Sequence, residues 1–467
     1  MKWPGTILRR GAMALAALVA AALLLCLDRV DHRPYFHAPY YTETAARLRA
    51  GTTADSITRG ELAAGFGRAL LTPTVNSPQD DPTSGQFRSL PLAGHSRRRG
   101  KFATGVHDDL YVKAAALRVG GRVGVMVGAD ALIIPHEVTE AAARRLGEEL
   151  KLSREQIYLS ATHTHAGLGG WGEGWVAESF AGGFQPGARL WFADRIVAAV
   201  RDAIADLQPA AFGHGHFAAP DFVRNRLVGS LGRVDPEFSY IVVKQKQGRL
   251  AVLGSYAAHA TVLPSTLMEF SADYPGCWQR AVEEATGGLA VFLAGGVGSH
   301  GPVAGEKGFA GAERMGQALA RTLLEQLPRI PLTDSIAFGT QGLVLSLPPL
   351  NIRVSDEIRL RPWLARRLMP VRGHSFIQVF RLNDTVWVST PCDFSGELAL
   401  GIKDSLRPKG LRVVITSFNG DYVGYVISPR YYHLESYEPR VMSFFGPNLP
   451  DYFDEIIRTM VLGLADK

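Results

Sequence analysis

Gln156-Ile157-Tyr158-Leu159-Ser160-Ala161-Thr162-His163-Thr164-His165-Ala166-Gly167-Leu168-Gly169-Gly170 joins an apolar, strand-like run to two histidines and a glycine-rich turn. On extended backbone, side chains two apart share a face, so His163 and His165 are expected to converge on one spot. The glycines behind them permit a sharp turn and close approach of a ligand. Imidazole is the commonest side-chain metal ligand. His-x-His alone is weak, and a second copy, His214-Gly215-His216, reads as an ordinary strand pair without a role.

Company separates the two. Working outward, strand-like runs cover 113–118, 122–133, 155–161, 238–245, 250–257, 289–294, 335–346, 376–390 and 411–417. Helical patterns cover 137–150, 186–206, 276–286, 310–326, 394–405 and 452–464; in 186–206, Leu190, Ala193, Ile196, Val197, Val200 and Ile204 recur at the 3.6-residue period. This alternation predicts an α/β fold with mixed β-sheets covered by helices. His259 follows the run 251–256, Asp393 follows 385–389, and Tyr422 and Tyr425 follow 413–420. All lie beyond the carboxyl ends of apolar strands, where open α/β sheets place ligands. Each alone reads as a locally bonded loop group. Together they point to a site, and catalytic zinc usually takes three protein ligands and one open position for water.

The chain has 467 residues, 46% hydrophobic and 20% charged, the balance of a globular protein with a core. A formal charge of +6 is mild for this length, and no basic run resembles a nucleic-acid arm. The densest cluster, Arg97-Arg98-Arg99 with Lys101, reads as a solvated loop. Cys26 lies in an N-terminal apolar run, leaving Cys277 and Cys392 as either one disulfide or two buried thiols. Lys2, Arg9 and Arg10 precede the Ala- and Leu-rich stretch Gly11 to Leu27. Its A-x-A patterns, of which Ala20-Ala21-Ala22 is the last, all lie inside the apolar run, which favours an uncleaved membrane anchor over a cleaved export signal. Either reading puts the body of the protein outside the cytoplasm. The expected organisation is an anchor or export signal at 1–30, a linker at 31–60 and one domain at 61–467.

Ala161-Thr162-His163-Thr164-His165-Ala166-Gly167-Leu168-Gly169-Gly170 resembles the T-H-T-H-S-G-P-G-G signature of neutral/alkaline ceramidases. Matches follow in order at Gly105-Val106-His107, Arg224-Asn225-Arg226, Ala258-His259-Ala260-Thr261, Pro391-Cys392-Asp393-Phe394 and Phe418-Asn419-Gly420 with Tyr422, Tyr425, Tyr432 and Tyr437-Glu438. The ordered set spans roughly residues 64–440. The resemblance implies a zinc-dependent amidase that cuts the N-acyl bond of ceramide or a related lipid. His163, His259, Asp393 and Tyr425 would hold Zn2+. His165 would serve as base for the attacking water, Arg226 would meet the scissile amide, and Tyr437 would line the pocket wall. His107, Ser299 and His300 are the substrate-binding candidates. The expected partners are a lipid-like N-acyl substrate and, through the N-terminal helix, a membrane, with no nucleic acid.

Three features depart from the family pattern. Gly301, in Gly295-Gly296-Val297-Gly298-Ser299-His300-Gly301-Pro302, stands where the family has serine. Asp393 is one methylene shorter than the family glutamate. The C-terminal β-sandwich and a long segment before the third ligand are missing. A serine hydrolase is disfavoured because Gly298-Ser299-His300-Gly301 lacks the G-x-S-x-G spacing. No P-loop lysine follows the glycines. The rival of a different class is a membrane-anchored binding or scaffold protein on a degenerate domain.

Overall fold

The computed structural model describes residues 4–51 and 57–465. Its centre is a 12-stranded mixed sheet organised around the strand Ile57–Leu70. Residues 57–61 pair with the strand Ser335–Ser346, residues 62–70 with Tyr111–Val119, and Ala63 and Ala64 with Gln208–Ala218. Three arms radiate from this hub. The first adds Arg122–Ala129 and Ile157–Ala161, the second Glu237–Gln245, Leu250–Tyr256 and Leu289–Ala294, and the third His374–Leu382, Thr385–Ser389 and Arg412–Thr416.

The arms enclose a shared inner core that includes Phe66, Tyr158, Phe212, Phe338, Phe380 and Trp387. The opposite face of each arm is covered by helices. Pro186–Ala205 lies over the first arm, Asp273–Thr286 and Phe309–Gln326 over the second, and Gly396–Leu406 and Leu449–Ala465 over the third. Burial on both faces explains why these strands read as continuous apolar runs.

Each arm contributes one parallel pair: 122–129 with 157–161, 250–256 with 289–294, and 385–389 with 412–416. Their carboxyl ends meet and are stitched across arms. Ser417 N–H donates to Ala294 O (2.9 Å), the Ser160 hydroxyl to Ser417 O (2.8 Å) and the Ser389 hydroxyl to Leu159 O (2.5 Å).

Several expectations change. The run 376–390 is two strands of a hairpin, turned at Asn383 in left-handed backbone (φ 56°). The strand 57–70 was not expected, whereas His214 and His216, read as a strand pair, lie on the strand 208–218. The expected linker at 31–60 is largely folded onto the domain, although residues 52–56 of it lie outside the described residues. Leu27–Arg29 pairs with Ile358–Leu360, and Pro39–Gly51 is a helix that buries Thr44 and Leu48. Tyr35 and Tyr41 both donate to the Glu455 carboxylate (2.5 Å each), and Tyr452 donates to Thr44 Oγ1 (2.7 Å). Cys277 and Cys392 are free and buried in different cores, so they form no disulfide. The N-terminal helix Pro4–Cys26 has 23 residues, about 34 Å at 1.5 Å per residue. Its 18-residue segment Arg9–Cys26 is long and apolar enough to cross a membrane.

Glycines in the hub strand let helix Pro186–Ala205 lie against the sheet. A Cβ at Gly67 would stand 2.2 Å from Ala199 O, while one at Gly121 meets nothing within 4 Å. Gly67→Ala is therefore expected to cost about 1–3 kcal/mol of overpacking strain, measured by denaturant unfolding, with Gly121→Ala close to the parent protein.

Candidate metal centre

Three histidines meet where the strand ends converge. His163 Nε2 lies 2.9 Å from His259 Nε2, and His165 Nε2 lies 2.9 Å from His259 Nε2 and 3.3 Å from His163 Nε2. His163 and His259 are fully buried and His165 is partly exposed, so the group opens on the His165 side. The convergence does not come from strand alternation, as the sequence suggested. The strand stops at Ala161, and His163 takes left-handed backbone (φ 61°), which turns its ring inward. Such a conformation in a non-glycine residue costs of order 1–3 kcal/mol and needs support from its surroundings. Phe418, itself at φ 66°, stacks on the His163 ring at 4.0 Å and 8°.

Hydrogen bonds fix two of the three tautomers. His163 Nδ1 faces Leu132 O (2.6 Å) and His259 Nδ1 faces Val297 O (3.3 Å). A carbonyl only accepts, so both Nδ1 atoms carry a proton, and in the neutral rings both Nε2 atoms present lone pairs. Asp393 Oδ1, buried and without a hydrogen-bond donor, lies 3.3 Å from His163 Nε2. Acceptors thus face acceptors with no proton between them, an arrangement that a cation relieves. The group His163, His165 and His259 can hold a metal ion.

The surrounding residues orient these atoms. Tyr422 donates to Asp393 Oδ2 (2.7 Å). Tyr425 pairs in register with Asp393, and Arg226 Nη2 donates to its hydroxyl (3.0 Å). Arg226 Nε lies 3.2 Å from Glu438 Oε1. Burial opposes the Arg226 charge, but Tyr425, Glu438 and Asp393 hold the guanidinium more firmly protonated than usual. Burial raises the Tyr425 and Tyr422 hydroxyls well above the ordinary tyrosine range. Tyr437 stands at the rim, 55% exposed, with its ring 6.1 Å from that of Tyr425.

Other sequence candidates lie elsewhere. His107 is exposed and stacks on Phe309 at 3.5 Å, in a surface depression apart from the histidine group. His300 and Ser299 are fully buried and consumed by the fold. His300 Nε2 accepts from Asp235 N–H (2.9 Å), so its Nδ1 donates to Ser299 Oγ (2.9 Å), which also meets Ser395 Oγ (3.0 Å). None of these three reaches a ligand position. Arg98, expected in a solvated loop, is buried; its guanidinium donates to the carbonyls of Ala93, His165, Ser265 and Leu267. It pins the turn that carries His165. Glu438 and Phe418 also escaped attention as separate functional positions, although the sequence motifs that matched contain both.

Beside the group is a cavity of about 480 Å³, lined by Ile133, Trp171, Phe180, Met369, Phe444 and Tyr422 among others. Tyr422 forms part of its wall, which places the cavity one side chain from Asp393.

The titratable groups set an acid limit. Burial first, then neighbouring positive charge, pushes His165 and His259 well below the ordinary histidine range. Burial also lowers His95 and His300 to about 4, and raises Asp130 and Asp273 to about 6. A depressed histidine contributes stability that is complete above its unfolded value of 6.5 and is lost as pH falls towards its folded value. A raised carboxyl works oppositely, restoring stability as pH falls from about 6 towards 4. The second pair of histidines and the two aspartates largely offset, leaving His165 and His259 to set the sign. Metal-free protein is expected to lose stability as pH falls below 6.5, through His165 and His259. Unfolding midpoints measured with chelator should show this decline, and His165→Ala should flatten it.

Comparison with known proteins follows this geometry. The family model described as neutral/alkaline non-lysosomal ceramidase, N-terminal, matches residues 79–295. A neutral ceramidase from Mycobacterium tuberculosis is 25% identical over 234 residues, covering 45% of this chain and 36% of the relative. One from Pseudomonas aeruginosa is 26% identical over 228 residues, covering 45% and 34%. The matched region is thus about a third of each relative's length. The crystal structure of the Pseudomonas aeruginosa neutral ceramidase superposes with a TM-score of 0.71 at 19% identity, over 86% of this chain and 74% of that one. A structure of ceramidase complexed with C2 gives 0.72 at 19% identity, over 87% and 75%. These two likenesses establish the fold. The profile match over residues 79–295 adds a sequence likeness to the neutral/alkaline non-lysosomal ceramidases over a little under half of the chain.

Proposed function

We propose that this chain is a zinc-dependent hydrolase of the neutral ceramidase type, cleaving the N-acyl amide bond of ceramide or a related N-acyl lipid. The observation that carries the reading is the set of buried acceptors facing one another: His163 Nε2, His259 Nε2 and Asp393 Oδ1. These three residues, with Tyr425, would hold Zn2+. Bound zinc polarises a carbonyl and lowers the pKa of water to about 7.

The chain's own residues divide the remaining work. His165 has no hydrogen-bond partner at Nδ1, so its tautomer is not locked. Its depressed pKa keeps the ring neutral and able to take a proton. His165 accepts the proton from the attacking water and delivers it to the amide nitrogen as the carbon–nitrogen bond breaks, yielding a fatty acid and an amine. Arg226, charged and mostly buried, stabilises the negative charge that develops on the carbonyl oxygen. Tyr422 holds Asp393, and Glu438 holds Arg226. The apolar cavity accommodates a hydrocarbon chain of the substrate. The helix Pro4–Cys26 anchors the chain in a membrane, with the catalytic domain on the extracytoplasmic side.

Gly301 favours a second reading, a lipid-binding protein without turnover. A Cβ there would meet the Arg226 side chain at 3.5 Å, ordinary contact distance, so serine fits without rearrangement.

Metal analysis separates these readings. Purified protein is expected to carry about one zinc per chain, lost in His163→Ala and Asp393→Asn. His165→Ala should keep its zinc and lose about 10²–10⁴-fold in turnover of N-acyl lipids. Loss of zinc in that variant would make His165 a ligand instead of the base. Zinc without hydrolysis of any N-acyl lipid would favour the binding protein. Gly301→Ser is expected to fold as the parent does and to raise turnover; a variant no faster than the parent would remove the missing serine as a constraint on rate.

A further inference from the structure

The N-terminal helix ends against the segment that leads into one wall of the cavity. Leu27–Arg29, directly after the helix, pairs antiparallel with Ile358–Leu360, with Leu27 opposite Leu360. Arg361 N–H donates to Cys26 O (2.8 Å) and Arg361 Nε to Leu27 O (3.1 Å). The next residues, Pro362–Leu368, form a short helix of sequence PWLARRL, of which only Ala365 is buried. Trp363 is 58% and Leu368 44% exposed, and Arg361, Arg366 and Arg367 also face solvent. Residues 358–373 contain five arginines and no acid. Arg359 and Arg372 have carboxylate partners, whereas Arg361, Arg366 and Arg367 have none among the described residues. Met369 to Arg372 then line the cavity. Across the mouth, Trp175 is 66% exposed, and its indole N–H donates to Leu368 O.

We propose that the helix Pro362–Leu368, with Trp175, is a membrane-docking patch that seats in the headgroup layer of an anionic phospholipid bilayer. Docking there turns the cavity mouth towards the lipid from which substrate is drawn. This inference rests on the anchor and cavity roles proposed above. A helix leaving the hydrocarbon at Cys26 passes its hydrogen bonds directly to Arg361, which fixes the patch at the interface. Tryptophan prefers that layer, where its ring is partly apolar and its N–H can be bonded. Exposed apolar side chains among unpaired arginines match acyl boundary and anionic headgroup together. In water the same surface would be an unexplained liability.

The test uses the full chain in vesicles of phosphatidylcholine and phosphatidylglycerol. Nitroxide labels are placed at Trp363→Cys and, as control, at Leu332→Cys, both in a Cys26→Ser background. Leu332 precedes the strand Ser335–Ser346, whose far end leads to the cavity-lining Leu347, so it marks the opposite end of the domain. The label at 363 is expected to be several-fold more accessible to oxygen and less accessible to a water-soluble nickel chelate than the label at 332. Equal accessibility at both positions would overturn the proposal. Protection at 363 from the nickel chelate with no gain in oxygen accessibility would also overturn it, in favour of a second copy or another protein. A Trp363→Glu/Arg366→Glu/Arg367→Glu variant should hydrolyse vesicle-borne N-acyl lipid several-fold more slowly and detergent-dispersed lipid at the parent rate; equal loss in both would count against docking. Immersed labels without hydrolysis in either format would leave docking standing while the hydrolase reading fails.

Discussion

The confrontation of two imidazole lone pairs governs this structure. His163 and His259 are each committed by a backbone carbonyl to a protonated Nδ1, and their other nitrogens approach to 2.9 Å in a buried site. Uncompensated, such a contact is repulsive, and an unpaired buried acceptor is costly. Asp393 Oδ1 adds a third acceptor. Holding these atoms together requires rigidity from every side, which the cross-arm hydrogen bonds among Ser160, Ser389 and Ser417 provide. The left-handed backbone at His163 is sustained by the same clamp, with Phe418 stacked on one side and Arg98 gathering the carbonyls of the following turn. Fold and site are therefore one device: three parallel strand pairs aim their carboxyl ends at a point where charge must be neutralised.

The sequence disclosed this plan where burial was two-sided. Strands such as 238–245 and 289–294 show uninterrupted apolar residues because helices cover one face and the inner core the other. Where packing relied on small or polar groups, the signal disappeared. The hub strand is Ile57-Thr58-Arg59-Gly60-Glu61-Leu62-Ala63-Ala64-Gly65-Phe66-Gly67, broken by glycines that exist to admit a helix. The helix Pro39–Gly51 docks through tyrosine hydroxyls on Glu455 and the Thr44–Tyr452 contact, which apolar periodicity does not register.

The site was legible to a similar degree and for related reasons. His163, His165, His259 and Asp393 were brought out by their position after apolar strands, although the convergence of the first two was attributed to strand alternation and arises from a left-handed turn. Ser299 and His300 entered as substrate-binding candidates because they neighbour Gly301, where the family has serine, and sequence does not show their burial. Only the structure discloses that Asp235 N–H, a backbone donor from another segment, occupies His300 Nε2. Arg98 was misjudged for the same reason: three successive arginines suggest solvent, but one of them satisfies four carbonyls.

That glycine-rich loop has a different use from phosphate cradling. A Cβ at Gly298 would lie 2.4 Å from Asp393 O, one at Gly296 2.9 Å from the Gly396 Cα, and one at Gly396 2.6 Å from the His300 ring. Gly298 N–H also donates to Phe394 O (2.8 Å). The loop and the segment 393–396 are thus pressed together at backbone contact, and glycine on both sides permits it. The consequence reaches the metal centre. A carboxylate one methylene shorter than glutamate can meet His163 Nε2 only if its backbone stands close, and this packing fixes where the Asp393 backbone stands. Gly296 and Gly298 therefore act on the metal centre at one remove, by setting where the third acceptor stands.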